Sequence, residues 1–210
     1  MPDPNLNPFM KVTPIRRNQA FTLMELLVVI AIIAILAAMT MGTFSYAQKS
    51  AMRNRTTAVH RAIISGLENY NSEYGEYPAP ASDGASREFN GRNYKTGGAL
   101  MLYQALTGDG TSNIQIASGG GGASDGRWTD DEKMLLTDMP KEMYTLGGTN
   151  LYMLLDGFAH PFQYTKGGTA DSVNPTFDLW SFGEDETNTS VTGKGQKQDA
   201  KTSAKWIKNF

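Results

Sequence analysis

Residues 20–36 read AFTLMELLVVIAIIAIL, and one letter among them decides the fold: Glu25, near the start of an otherwise apolar run. From Leu26 to Met41 almost every residue is Leu, Val, Ile, Ala or Met. With Phe21 to Leu23 before it and Gly42 to Phe44 after it, the run can cross about 30 Å of hydrocarbon as a helix. A carboxylate at the centre of such a helix costs about 2.5–3.5 kcal/mol on insertion scales, so Glu25 calls for a partner and a purpose.

Upstream, residues 1–20 (MPDPNLNPFMKVTPIRRNQA) are polar and broken by proline, with Lys11, Arg16 and Arg17 ahead of the apolar run. This is the pattern of a targeting leader whose charges stay on the cytoplasmic side. Downstream, Phe44, Ala47, Ala51, Val59, Ile63, Leu67, Tyr70 and Tyr74 fall at helical spacings with charges between them. The pattern predicts one helix from about Phe21 to Tyr74, apolar all round in its first half and amphipathic in its second, with Gly75 and Pro78 as its stop.

Residues 79–150 read as mostly loop, with one short helix at Gly98 to Leu106, a glycine run at 118–126 and a helical turn after Thr129. The glycine run reads as a surface linker, because no strand precedes it and no GK[ST] follows it. After Asn150, LYMLLDGF, HPFQYTK and PTFDLWSFG are short apolar or aromatic runs between Gly, Asp and Pro turns, which predicts strands. From Glu184 the tail is polar except for Trp206, Ile207 and Phe210. The expected fold class is therefore α+β: a long N-terminal helix whose amphipathic half packs on a small C-terminal antiparallel sheet. The expected segments are 1–20, 21–44, 45–78, 79–150 and 151–210.

Composition narrows the function. The 210 residues are 40% hydrophobic and 19% charged, enough for one globular domain plus an appendage. Net charge is −2 and no Lys/Arg cluster lies outside the N-terminal region, so nothing indicates a nucleic-acid surface. Without cysteine there are no disulfides, cysteine nucleophiles or thiolate metal sites. His60, in a charged helical stretch, reads as solvated, and His160, before Pro161, as structural. With no HExxH and no GxSxG, neither metallohydrolase nor serine hydrolase chemistry has a motif to rest on, and the chain reads as a non-enzyme.

The stretch from Ala20 to Ile30 resembles the type IV prepilin signature, found in type IV pilins and in the pseudopilins of type II secretion: a basic leader, a small residue, Phe, Glu four residues later, then an apolar helix. The resemblance implies that a prepilin peptidase cuts between Ala20 and Phe21 and methylates the new amine of Phe21. The family prefers Gly before the cut, and Ala20 departs from that. DGFAHPFQYTKGG (Asp156 to Gly168) and FDLWSFGEDE (Phe177 to Glu186) are similar to the major pseudopilin of type II secretion.

The family's arrangement implies that the Phe21 amine, expected on the same helical face as Glu25, partly neutralises it within a subunit and meets the Glu25 of a neighbour in a filament. Ala31, Ala34, Ala37 and Ala38 would let helices approach closely. The implied partners are further copies of the chain, other pseudopilins, the peptidase, and an inner-membrane assembly platform with its ATPase. The implied location is the inner membrane, single-pass, with the C-terminal part in the periplasm.

No cofactor is required by this reading, although major pseudopilins hold a calcium ion at the loop corresponding to Gly183 to Thr187. The matching ligands here are the Phe182 carbonyl, Asp185 and, as the only downstream acid nearby, Asp199. Calcium takes six to eight oxygens, so this loop stands open between a calcium site and a solvated turn. The rival readings are a type IV pilin for adhesion, motility or DNA uptake, and a membrane-anchored binding protein using Trp128 and Trp180. A plain signal anchor, or a signal peptide cut after Ala47, leaves the Phe-to-Glu spacing unexplained.

Overall fold

The computed structural model describes residues 21–80, 85–109, 135–136, 143–148, 151–185, 187, 189–190 and 193–210. The leader, Ala20, the glycine run, Trp128 and the turn after Thr129 lie outside the described residues. The chain divides into two compact units, Met1–Ser45 and Tyr46–Phe210.

Helix α1 spans Leu23–Tyr74 and ends where the Gly75 amide donates to the Asn71 carbonyl. In the first unit its large apolar side chains from Leu23 to Met39 are between 45 and 84% exposed. An 18-residue window of the helix reaches a mean hydropathy of 2.7 with none of it buried, which by length and composition suffices to cross a membrane.

In the second unit the same helix buries Thr56, His60, Ile63, Leu67 and Tyr70, a stripe at steps of four and three. Ile63, Leu67 and Tyr70 join the main core with Met101, Leu102 and Leu106 of α2 (Gly97–Thr107). Every residue of α2 is buried, as expected of a helix that is apolar on all sides.

Among the described residues three small antiparallel sheets follow, where the sequence predicts one. β1 (Ser86–Phe89) and β2 (Arg92–Lys95) form a hairpin inside the stretch read as loop. Its turn is Asn90-Gly91, with φ of 52° and 78°, the two positive values a type I′ turn needs. The hairpin escaped prediction because SREF and RNYK, largely exposed, lack apolar alternation. β3 (Tyr144–Gly148) pairs with β4 (Leu151–Leu154) through a bulge between Leu146 and Gly148.

The third sheet has the order β5 (Gln163–Lys166), β6 (Phe177–Ser181), β7 (Ile207–Lys208). β6 lies in the middle and is buried throughout. Phe177 and Leu179 belong to the core shared with α1, whereas Trp180 packs with Phe182, Trp206 and Tyr94 in a second cluster.

Two polar residues occupy places the sequence does not predict. His60 is buried, not solvated, with its Nε2 2.9 Å from the Leu179 carbonyl. The tail read as polar contains α3 (Lys194–Gln198), whose Lys197 is fully buried. The Lys197 ammonium donates to Asp178 Oδ2 (2.9 Å), Thr165 Oγ1 (3.0 Å) and the Asp171 carbonyl (2.8 Å), and sits 4.4 Å from the centre of the Trp180 ring. This fixes the C-terminal segment to β5 and β6 through a charge that water never reaches.

Candidate functional site

The first carbonyl bonded within α1 is that of Thr22, which accepts the Leu26 amide at 3.2 Å, so Thr22 is the N-cap and Glu25 the third helical residue. Thr22 Oγ1 accepts the Glu25 amide at 3.2 Å. In return Glu25 Oε2 accepts the Thr22 amide at 2.9 Å and the Thr22 hydroxyl at 2.8 Å. This reciprocal arrangement is a capping box, which satisfies two amides that every helix start leaves without partners.

The structure thus gives Glu25 a partner inside its own chain. Phe21 precedes the helix and is exposed, so the shared helical face expected for Phe21 and Glu25 does not form; Thr22 takes that place. The signal was legible as Thr-x-x-Glu ahead of an apolar run. Glu25 uses one oxygen for the box, and its Oε1 carries no hydrogen bond among the described residues. A carboxylate held by one oxygen is oriented, and the other oxygen can accept from a cation.

The acids of the C-terminal loop are placed differently. Asp185 is buried; its Oδ1 accepts the Thr187 amide (2.9 Å) and hydroxyl (2.8 Å), and its Oδ2 accepts Trp206 Nε1 at 2.9 Å. The Phe182 carbonyl accepts the Asp185 amide at 3.0 Å. Asp199 is exposed and accepts the Thr202 amide and hydroxyl, which hold its carboxyl below the usual range. Among the described residues no three Asp, Glu, His or Cys side chains are grouped to hold a metal. Both Asp185 oxygens and Asp199 Oδ2 already serve protein donors, so an ion at this loop would have to displace them.

His160 has the structural place expected of it. It stacks on Tyr94 at 4.8 Å, and its amide donates to Asp156 Oδ1. Asp156 also accepts from the Ser181 hydroxyl and the Phe158 amide, and burial pushes its carboxyl up. This loop docks on α1 through Gly157, whose amide donates to Thr56 Oγ1 at 2.9 Å. A Cβ at Gly157 would stand 2.4 Å from the Met52 carbonyl, so only glycine allows that approach. The aromatic binding surface of the rival reading does not form at Trp180, which is 1% exposed.

With the geometry in place, comparison with known proteins adds one family. Residues 15–41 match the Prokaryotic N-terminal methylation motif, the mark of a type IV prepilin-like N-terminus. The match takes in Arg16 and Arg17, the cleavage candidates Ala20 and Phe21, the capping pair Thr22 and Glu25, and the apolar helix as far as Met41. No curated protein and no solved structure matches the chain. The motif identifies a type IV pilin-like N-terminus of the kind that prepilin peptidase processes.

Proposed function

We propose that the chain is a structural subunit of a pilin-like filament, made as a prepilin, cut between Ala20 and Phe21, N-methylated on Phe21 and polymerised through its apolar helix. The observation that carries this reading is the pairing of the methylation motif with a helix whose described large apolar side chains from Leu23 to Met39 are exposed. Mature subunits would associate by close packing of residues 23–44, with Glu25 Oε1 accepting the Phe21 amine of a neighbour. A mismatched stagger leaves a charge unpaired, so the contact sets register.

Within that class we favour a type II secretion pseudopilus, on the resemblance to the major pseudopilin read from the sequence of Asp156–Gly168 and Phe177–Glu186. Filament growth from an inner-membrane platform and its ATPase would then serve protein secretion, and the chain itself would perform no chemistry. Mass spectrometry of the mature N-terminus is the direct test. A start at methylated Phe21 is expected, and a start at Gln48 would overturn the filament reading.

A further inference from the structure

The water-exposed half of α1 is divided by charge. Between Glu25 and Glu68 there is no acidic residue, and residues 49–61 carry Lys49, Arg53, Arg55 and Arg61. Between Arg61 and Arg87 there is no Lys or Arg, and this stretch carries Glu68 and Glu73 on the helix and Glu76 and Asp83 beyond its end. The basic residues are too thinly spread to form a nucleic-acid patch, yet the two blocks follow each other on one helix.

Their side chains are not all used up by the fold. Arg53 reaches Glu184 at 3.7 Å and the Lys205 carbonyl, Arg55 meets Met143, and Glu76 pairs with Lys166 at 2.7 Å. Lys49 and Arg61 are exposed, and among the described residues their side chains make no ion pair or hydrogen bond. Glu68, also exposed, accepts the Tyr77 hydroxyl at 2.9 Å.

We infer that the basic block of one subunit docks against the acidic block of a second copy displaced along the helix axis. From Arg61 to Glu68 is seven residues, about 10 Å of helix, and from Lys49 to Glu68 nineteen, about 28 Å, so a displacement of about 10–30 Å sets opposite charges at one level. An unshifted copy would set like charges side by side, which is repulsive. An anionic lipid surface would account for the basic block alone; a second copy accounts for both blocks. The inference rests on the filament reading and adds its second register contact, distant in sequence from Glu25.

The test uses the full chain, expressed with an assembly platform and ATPase, with sheared filaments counted. One variant carries Lys49→Glu and Arg61→Glu, the other Glu68→Lys and Glu73→Lys. Each alone should give less than about a tenth of the wild-type yield, and co-expression of the two should restore at least about half, because the mixed interface is again complementary. Melting temperatures close to wild type would show that both variants fold, as exposed sites allow. Wild-type yield from either single variant overturns the inference, and so does failure of the mixture. Loss confined to the basic-block variant, with loss of binding to anionic phosphatidylglycerol vesicles, would assign that block to lipid instead. If wild type forms no filaments, the filament reading itself fails and this contact falls with it.

Discussion

Residues 23–44 and 46–74 belong to one helix and share its hydrogen bonding, yet they end in opposite surroundings. The second stretch confines its apolar residues to a stripe and covers it with α2 and strands of the second unit. The first is apolar on every side, so no single packing face could bury it, and it stays exposed. A soluble monomer rarely exposes an apolar patch beyond a few hundred Å². Helical structure is therefore specified locally along both stretches, whereas the destination of the helix is set by how far around it the apolar residues extend.

The comparison breaks first at Glu25, the one charge in the uncovered half. Glu25→Ala should leave membrane insertion intact, since it removes a charge from the segment, and cleavage should persist. Filament yield should fall at least about tenfold, because an incoming amine would find no counter-charge at low dielectric. Thr22→Val should cost less: it weakens the cap by about 1 kcal/mol while leaving the carboxylate in place. Counting sheared filaments of both variants beside wild type checks the order, and equal yields would remove Glu25 from the interface.

In the covered half the corresponding test is Lys197, a charge with every partner inside the fold. Lys197→Ala leaves Asp178 buried without its cation, although the Val173 and Asn174 amides still donate to it. Breaking one side of a buried pair costs about 3–5 kcal/mol. Urea unfolding of residues 46–210, which hold their own core and should fold as a soluble monomer, gives the value. A cost below about 1 kcal/mol would mean that Trp180 and Trp206 hold the tail without the ion pair.

His60 supplies a pH test of the same half. Burial holds its pKa below the ordinary 6.5, partly opposed by the Leu179 carbonyl. The native state therefore keeps His60 neutral where the unfolded chain takes a proton, so stability falls as pH drops below about 6.5. The slope is bounded at about 1.4 kcal/mol per pH unit for one proton. Asp156, pushed up by burial, works in the opposite sense, because the native state takes its proton before the unfolded chain does. Denaturant midpoints of the 46–210 fragment between pH 7.5 and 5.5 should show the loss, and His60→Gln should flatten it.

The long helix, its stop, α2 and strands β4 to β6 were legible because each is a run of apolar residues with a clear period and a turn residue beside it. The misses are polar. The charged neighbours Arg55 and Arg61 disguise His60, although the four-and-three steps through Thr56, Ile63 and Leu67 place it on the buried stripe. Lys197 sits in GKGQKQDA, where no period separates the buried lysine from the exposed Lys194. Asn90-Gly91 is a strong turn signal, but the strands beside it are stabilised by pairing and by Phe89 and Tyr94 rather than by alternation. At the N-terminus the spacing of Phe21 and Glu25 pointed outward to a neighbour, and the local Thr22 box went unread because a capping box is a backbone device.

The smallest expected effect is that of calcium on the covered half. A pseudopilin-like ion at the Phe182 carbonyl, Asp185 and Asp199 has to compete with Trp206 and the Thr187 and Thr202 donors, so weak binding is expected. At an ion concentration equal to Kd, binding adds RT ln 2, about 0.4 kcal/mol, which is about 1–2 °C for a domain of this size. Calorimetry of residues 46–210 in millimolar calcium against a chelator should show a rise of that order, lost in Asp199→Asn, which spares the Asp185–Trp206 contact. A rise above about 5 °C, with a change in tryptophan fluorescence, would mean that Asp185 leaves Trp206 for the metal. Complete absence of a rise would leave the loop's own hydrogen bonds as the full account of its order, with Lys197 tying the tail to its sheet.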